Sequence, residues 1–170
     1  MTIQNHNKFV VIGISGTGKT KLSKKIAALT DLPLYHMDRI IWKENWVESD
    51  EQSIRHTLDA IADTDRWIVE GWIDQYSKTI VKQADMVVYL DFPGWLAMYG
   101  GLQRWFRYRG KPRPELPTGC DEEFSWRYLC TMFMRLERPH IEGLLAELKP
   151  NRVMRIKTRG EANRLFCSSV

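Results

Sequence analysis

One short stretch near the amino terminus constrains this chain more than any other. Gly13 to Thr20 read G-I-S-G-T-G-K-T and match the phosphate-binding loop pattern G-x-x-x-x-G-K-[ST] at every fixed position. Lys8–Ile12 before it is an apolar run typical of a buried strand, and Thr20–Leu29 after it has a helical pattern. A strand, a glycine loop and a helix in this order predict a P-loop, because the helix amino terminus leaves backbone N–H groups free to bind phosphate.

The same loop supplies side chains for a nucleotide and its metal ion. Lys19 is expected to pair with the β- and γ-phosphates of ATP, and the Thr20 hydroxyl is expected to ligate Mg²⁺. The glycines allow positive φ and let the backbone come close to the phosphates. The predicted nucleotide contacts are Gly13, Ser15, Gly16, Thr17, Gly18, Lys19 and Thr20.

Composition is that of an ordinary globular protein. The chain has 170 residues, which suits a single domain spanning residues 1–170. No apolar run approaches the roughly 20 residues that span a bilayer, and the amino terminus lacks the apolar region of a signal peptide. We therefore expect a cytoplasmic protein without a membrane partner. The net charge of +4 suits an anionic ligand but does not by itself indicate nucleic acid.

Strands and helices alternate along the chain, the pattern of an α/β fold with a parallel sheet. A helix is predicted from Ser49, with Gln52 placed for a capping box, after a loop at residues 38–46. A long helix is predicted over Glu122–Glu147, kinked or divided by Pro139. The strands predicted after the P-loop are Leu34–Met37, Trp67–Val69, Met86–Leu90 and Val153–Ile156.

Three acidic residues follow predicted strands. Ligands of open α/β sheets bind beyond the carboxyl ends of the strands, and Asp38, Glu70 and Asp91 stand there. Asp38 and Glu70 could hold an Mg²⁺-bound water or accept a proton from an attacking hydroxyl, or they could be solvated loop acids. Asp91 precedes Phe92, Pro93 and a helix, which favours a helix N-cap.

Basic residues cluster around a segment rich in proline and glycine, Tyr108–Asp121, which predicts a loop that could close as a lid. Arginines there could stabilise the charge of a transferring phosphoryl group, or simply be solvated. Those on predicted helices near the loop are favoured for the first role. The basic residues are Arg104, Arg107, Arg109, Lys111, Arg113, Arg135 and Arg138, and the favoured ones are Arg104, Arg107, Arg135 and Arg138.

Aromatic residues are frequent in the segment at about 38–80, which would hold a second substrate. Trp42, Trp46, Trp72 and Tyr76 could stack on a base or ring, or they could belong to the core. His36 lies within the second predicted strand and is interpreted as a packed histidine and not a ligand.

A set of ordered motifs accompanies the P-loop: Y-H-M-D-R-I-I-W, W-I-V-E-G-W, L-D-F-P, R-Y-R-G-K-P-R-P and R-L-E-R-P. Together they resemble the topology modulation protein (FlaR-like) family, which belongs to the adenylate-kinase-like P-loop kinases. The resemblance covers nearly the whole chain, about residues 8–166. It implies a five-stranded parallel sheet in the order 2-3-1-4-5, flanked by helices, with a substrate-binding segment at about 38–80 and a lid at about 108–121.

The resemblance also implies roles for single residues. Arg104 matches the arginine of the phosphate-donor site, Arg135 and Arg138 match the pair after the lid, and Thr158–Gly160 matches the adenine loop. Glu70 stands where adenylate kinases have an aspartate before glycine. Their signature D-G-F-P-R is replaced here by E-G-W-I-D, so the arginine that grips a nucleoside monophosphate is missing. This difference argues against AMP as the acceptor.

The sequence therefore predicts a P-loop kinase that uses ATP and Mg²⁺ to phosphorylate a small molecule or nucleotide. One alternative is a nucleotide-dependent regulatory protein that affects DNA topology by binding DNA through the basic lid. Another is an ATP-hydrolysing switch without an acceptor. DNA binding is expected to be weak or non-specific, because no recognition helix is evident. The predicted catalytic residues are Lys19, Asp38, Glu70, Arg104, Arg135 and Arg138.

Overall fold

A parallel sheet forms the centre of the molecule. The computed structural model describes residues 3–72 and 77–167. Its strands are β1 (Lys8–Gly13), β2 (Leu34–His36), β3 (Trp42–Lys43), β4 (Val47–Glu48), β5 (Trp67–Glu70), β6 (Met86–Leu90) and β7 (Val153–Ile156). Five of them form the sheet in the order β2-β5-β1-β6-β7, with every pair parallel. Counted among these five strands alone, the order is the predicted 2-3-1-4-5.

Helices flank the sheet on both faces. They are α1 (Lys19–Thr30), α2 (Met37–Ile41), α3 (Glu51–Ala62), α4 (Lys78–Gln83), α5 (Gly94–Tyr108), α6 (Trp126–Met134), α7 (Arg138–Ala146) and α8 (Arg159–Cys167). In the part of the chain that the structure describes, none of these helices has the length and apolar character needed to cross a bilayer. The predicted fold class, a helix-flanked parallel α/β sheet, is confirmed.

Alternate residues of the central strand β1 pack into two separate apolar clusters. Phe9 and Val11 contact the cluster that contains α1, whereas Val10 and Ile12 contact the cluster that contains α3, α4 and α7. This alternation follows from the period of two in a strand, and both faces are apolar because both are covered by helices. Each such side chain, fully buried, contributes about 1.5–3 kcal/mol. The sheet therefore gives the residues at its carboxyl edge a rigid support.

Two predicted helix boundaries were wrong. Helix α3 begins at Glu51, and its N-cap is Asp50, whose Oδ1 accepts a hydrogen bond from the Ser53 N–H at 2.8 Å. The predicted capping box of Ser49 and Gln52 does not form, since the Ser49 N–H donates to the Ile41 carbonyl at 2.7 Å, and the N-cap lies one residue later because an aspartate caps as well as a serine. The predicted helix over residues 122–147 is divided into α6 and α7, one of the two outcomes predicted, but it begins at Trp126 and the division does not lie at Pro139. The break lies at Arg135, which has φ 56°, and Pro139 occupies the first turn of α7.

The segment predicted as a loop at residues 38–46 is ordered into secondary structure. It forms α2 and the start of a hairpin in which β3 pairs antiparallel with β4. We call residues 42–48 the tryptophan hairpin. Asn45 and Trp46 at its tip both have positive φ, 58° and 59°. An asparagine tolerates this conformation, but it is strained for a bulky residue such as tryptophan.

Candidate functional site

A cavity of about 1240 Å³ opens at the carboxyl edge of the sheet. One part of its lining is the P-loop with the start of α1, which we call the P-loop side. A second part comes from residues 38–72, and we call it the tryptophan side; the remaining lining comes from the end of β6, from α5 and from later parts of the chain. The acids and tryptophans of the tryptophan side are Asp38, Glu48, Glu70, Trp42, Trp46 and Trp72. The cavity lies where an open α/β sheet places its ligands.

Glycine is required in the P-loop by conformation and by space. Gly18 has φ 91° directly before α1, and a Cβ there would meet nothing within 4 Å, so this face of the loop is open. Gly16 has φ 80°, and a Cβ there would lie 2.0 Å from the carbonyl oxygen of Ala97 in α5. A Cβ at Gly100 of α5 would lie 2.0 Å from the Gly16 carbonyl oxygen. The P-loop is thus pressed against α5 on one side and open to the cavity on the other.

The loop is built to bind anionic oxygens. The Ser15 N–H donates to a carboxylate oxygen of Glu137 at 3.3 Å, and the Ser15 hydroxyl accepts from Arg104 at 3.0 Å. The amino terminus of α1 adds N–H groups and the positive end of its dipole. These residues fit a polyphosphate, since one loop N–H already holds an oxygen of a negatively charged group.

Lys19 lies folded against the loop. Its Nζ donates to the carbonyl oxygens of Gly13 and Ile14, at 2.8 and 3.3 Å. Burial lowers the pKa of Lys19, and the charges of nearby carboxylates, Glu70 first, act in the opposite direction. The ammonium is therefore held where it can exchange carbonyl contacts for phosphate oxygens.

Glu70 ends β5 and connects the two sides of the cavity. Its Oε1 accepts from the Thr20 hydroxyl at 3.0 Å and lies 2.6 Å from Nδ1 of His36. The carboxyl is buried, with 5 % of the residue exposed. Hydroxyl and carboxylate oxygens are ligands that Mg²⁺ accepts, usually together with substrate phosphates. Residues 3–72 and 77–167 hold no group of three or more His, Cys, Asp or Glu placed to bind a metal by themselves. Thr20 and Glu70 fit a magnesium ion carried by a nucleotide.

Asp38 lies in the first turn of α2 and lines the cavity. Burial raises the pKa of its carboxyl, and the positive charges of Lys19 and Arg113 counteract this. A carboxylate whose pKa is raised is a better proton acceptor, because the optimum for a general base lies closer to neutral pH. Asp38 is thereby suited to take a proton from a hydroxyl in the cavity.

Two arginines approach the cavity from α5 and from the irregular connection at residues 109–125. Arg113 has 9 % of its side chain exposed and lies 2.6 Å from Glu122 and 3.9 Å from Glu115. Arg104 lies 2.7 Å from Glu122, and both arginines line the cavity together with Arg107. The sequence favoured Arg104 and Arg107 but not Arg113. The position of Arg113 between two prolines, inside the predicted lid, is the one sequence signal that could have identified it as a site residue.

The connection at residues 109–125 is docked on the tryptophan hairpin. The Asn45 N–H donates to the Thr118 carbonyl at 3.2 Å, and the Trp46 N–H donates to Cys120 Sγ at 3.3 Å. The Cys120 thiol donates in turn to the Lys43 carbonyl at 3.3 Å. These contacts hold the connection down over the cavity and fix the tip of the hairpin.

Arg135 and Arg138 are directed elsewhere. Neither is among the described residues that line the cavity, and both pair with buried Asp91, which Arg155 also contacts. The predicted N-cap role of Asp91 was wrong: Pro93 is the N-cap of α5, and no side chain caps it. A buried carboxylate attracts cations strongly, which explains why three arginines that are distant from Asp91 in the chain converge there.

Trp42, Trp46 and Trp72 line the cavity, and Trp42 also packs against the apolar core. Trp42 and Trp46 pack edge to face with ring centroids 5.4 Å apart, and Trp46 is 41 % exposed. Trp72 stacks on His140 at 5.3 Å. Tyr76, predicted as a fourth stacking residue, lies outside the described residues. Arg159, in the segment predicted as the adenine loop, also lines the cavity.

Sheet order, P-loop and cavity define an α/β protein of the P-loop kinase fold. No family model matches the chain, and no curated protein matches it. Solved structures do match it. Shikimate kinase from Acinetobacter baumannii in complex with shikimate is 16% identical, covers 98% of this chain and 92% of its own, and gives a TM-score of 0.59.

Two further solved structures are similar over nearly their whole length. Shikimate kinase from Bacteroides thetaiotaomicron is 13% identical, with 96% of each chain covered and a TM-score of 0.57. A gluconokinase from Sinorhizobium meliloti 1021 is 17% identical, with 100% of each chain covered and a TM-score of 0.52. This chain therefore has the fold of small-molecule P-loop kinases. Its resemblance to the topology modulation protein family stays a prediction.

Proposed function

We propose that this protein transfers the γ-phosphoryl group of ATP to a hydroxyl of a small acceptor bound on the tryptophan side. The observation that carries the proposal is the convergence of three features in one cavity. These are a P-loop with its lysine, the Thr20–Glu70 pair, and the Asp38 carboxyl with its raised pKa. The similarity of the fold to shikimate kinase and gluconokinase supports it.

The P-loop side holds the phosphates. Backbone N–H groups and Lys19 bind the β- and γ-phosphate oxygens, and Arg104 neutralises charge on the transferring group. Arg113 is also placed to neutralise charge on the transferring group. Arg135 and Arg138 would have to break their ion pairs with Asp91 to do so. Magnesium, bound through Thr20 with Glu70 beside it, would supply further charge neutralisation.

The tryptophan side positions the acceptor. The acceptor oxygen bonds to the γ-phosphorus as the bond from that phosphorus to the bridging oxygen breaks, and ADP leaves. Asp38 orients the hydroxyl and takes its proton. Residues 109–125 exclude water by lying over the cavity, which limits wasteful hydrolysis of ATP.

Structure does not favour the alternative of a regulatory protein that binds DNA through a basic lid. Arg104 and Arg113 are paired with acids inside the cavity, and so is Lys24 with Glu115. These three cations are therefore poorly placed to meet phosphates of a duplex, which leaves Arg107, Arg109 and Lys111 as the exposed basic residues of the lid region. We expect duplex DNA to bind with a dissociation constant of about 10⁻⁴ to 10⁻⁶ M at physiological salt, the range of non-specific contact.

Hydrogen exchange distinguishes the kinase hypothesis from the DNA-binding alternative. Mg-ATP should slow exchange in residues 108–121 and in the tryptophan hairpin, because the bound nucleotide favours the closed lid. Helix α3, far from the P-loop in the chain and outside the cavity lining, serves as the internal reference and should not change. Sub-micromolar affinity for duplex DNA at physiological salt, with unchanged exchange in the lid, would support the DNA-binding alternative instead.

A further inference from the structure

We infer that the acceptor carries no negative charge and is a neutral or cationic ring alcohol that lies against the tryptophan hairpin. The inference rests on the proposed function and names the substrate class of the same site. It follows from the charge of the tryptophan side and from the shape and strain of the hairpin.

The tryptophan side carries acidic side chains, and no basic side chain from the same segment neutralises them in the cavity. Within residues 37–72, all of which the structure describes, the cavity is lined by Asp38, Glu48 and Glu70 and by no lysine or arginine. The cations of this segment bond elsewhere: Arg39 to the Pro114 carbonyl, Lys43 to Asp50, Arg55 to Glu51, and Arg66 to the carbonyls of Thr30 and Asp31. The sequence that follows, I-D-Q-Y at residues 73–76, adds no cation.

The cations whose charges act on Asp38 are Lys19, Arg113 and Arg104, and each of them is already engaged. Lys19 belongs to the phosphates, Arg104 and Arg113 share Glu122, and Arg113 also lies 3.9 Å from Glu115. A carboxylate or phosphate on the acceptor would therefore lie beside three carboxylates, with no lysine or arginine from residues 37–72 lining the cavity to pair with it. Burying an unpaired charge is costly, and like charges at an interface reject a ligand.

The tryptophan hairpin presents aromatic side chains to the cavity, where they could bind a ring. Trp42 lies directly opposite Glu48 in the register of β3 and β4, so an indole and a carboxylate face the cavity side by side. Trp46 is held at φ 59°, a strained conformation for a bulky residue, by the contact of its N–H with Cys120. Strain of this kind persists where surrounding contacts enforce it, and it marks functional positions. Indole faces bind the flat faces of rings, and they attract cations.

The experiment uses acceptors that share one ring and differ in charge: glucose, glucosamine and glucuronate, together with the pair uridine and uridine 5′-monophosphate. Transfer from labelled ATP gives kcat/KM, and tryptophan fluorescence gives binding. We expect the neutral or cationic member to exceed its anionic counterpart by at least about tenfold, since like charge repels the anion.

Variants of the hairpin identify the cause of the selectivity. Glu48→Lys should shift the preference toward the anionic member by about tenfold or more, as expected for reversing a charge beside the ligand. Glu44→Lys, at an exposed hairpin position outside the cavity lining, is the matched control and should leave the preference unchanged. Trp46→Ala should weaken ring binding, Trp46→Phe should retain most of it, and Trp95→Ala at an exposed site of α5 should have no effect.

The results separate the inference from the function on which it rests. An anionic acceptor that is used as well as its neutral partner overturns the inference and leaves the kinase function intact. The same holds if no member of the panel binds or reacts while ATP binds normally, or if Glu48→Lys behaves like Glu44→Lys. Absence of ATP binding in calorimetry would instead overturn the proposed function.

Discussion

The two sides of the cavity are built in different ways. The P-loop side comes from consecutive residues between β1 and α1, and its geometry is set by glycines at fixed spacing. The tryptophan side is assembled from α2, the tryptophan hairpin and the end of β5, and the hairpin tip depends on contacts with residues 118–120. Phosphate binding is thus specified locally in the sequence, whereas acceptor recognition depends on segments that are brought together by folding.

The two sides also differ in charge. Lysines and the helix amino terminus attract phosphate to the P-loop side, and the acids of the tryptophan side repel a second anion. This difference predicts that substitutions on the P-loop side act mainly on nucleotide affinity, while those on the tryptophan side act on turnover and acceptor choice.

The largest expected effect is that of Asp38→Asn. Removing a general base lowers turnover by about 10²–10⁴-fold. Affinity for ATP should stay within a few-fold, because Asp38 stands on the tryptophan side. Steady-state kinetics, calorimetric titration and thermal melting together check this prediction. Asp59→Asn, at an exposed position of α3, is the control. A fully active variant would remove Asp38 from the mechanism.

A pH profile sharpens the same prediction. The carboxyl must be ionised to accept a proton, and burial raises its pKa. Activity should therefore fall as the pH decreases, and it should do so at a higher pH than for an ordinary aspartate. This acidic limb should be missing from the residual activity of Asp38→Asn. If the limb persists in the variant, another group is responsible for it.

On the P-loop side, Lys19→Ala should abolish most ATP binding. Loss of a charge-assisted contact to phosphate costs about 2–4 kcal/mol, or roughly 30- to 1,000-fold in affinity. Calorimetric titration measures the loss, and Lys149→Ala at an exposed position is the control. Equal ATP affinity in wild type and Lys19→Ala would contradict the assignment of the P-loop.

The smallest effect concerns the packing of the P-loop against α5. A Cβ at Gly100 would meet the Gly16 carbonyl oxygen, so Gly100→Ala should destabilise the fold by about 1–3 kcal/mol and weaken ATP binding. Gly143 in α7 has open space around it, and Gly143→Ala should stabilise the fold by about 0.5–1 kcal/mol. Thermal melting should give opposite signs for these two variants; a shared sign would refute the close contact between the loop and α5.

The fold could be predicted from the sequence where the signals are local. The apolar runs of β1, β5, β6 and β7 identify strands directly, and their order followed from the resemblance. The tryptophan hairpin could not be predicted in this way, because the positive φ of Trp46 is enforced by contacts with Cys120, 74 residues away. The asparagine before it, a residue that tolerates positive φ, was the available local signal.

The site residues, too, could be predicted where the signals are local in the sequence and could not where they depend on contacts formed by folding. Lys19, Thr20, Asp38 and Glu70 meet at one cavity because each lies at or beyond the carboxyl end of a strand of the sheet. The arginines were harder to assign, since their direction depends on which acids they meet in the folded chain. Arg135 and Arg138 lie on Asp91, and Arg113 lies between Glu115 and Glu122. Spacing along the chain does not reveal such partners.

The most direct test of the central claim follows the γ-phosphate. Wild-type protein and Lys19→Ala are incubated with Mg²⁺, γ-labelled ATP and a panel of small alcohols that differ in charge and include open-chain as well as ring compounds, and the label is separated into acceptor and free phosphate. We predict label on an acceptor with the wild-type protein and none with Lys19→Ala. Label found as free phosphate alone, in the same amount with and without acceptors, would contradict the account and indicate an ATP-hydrolysing switch.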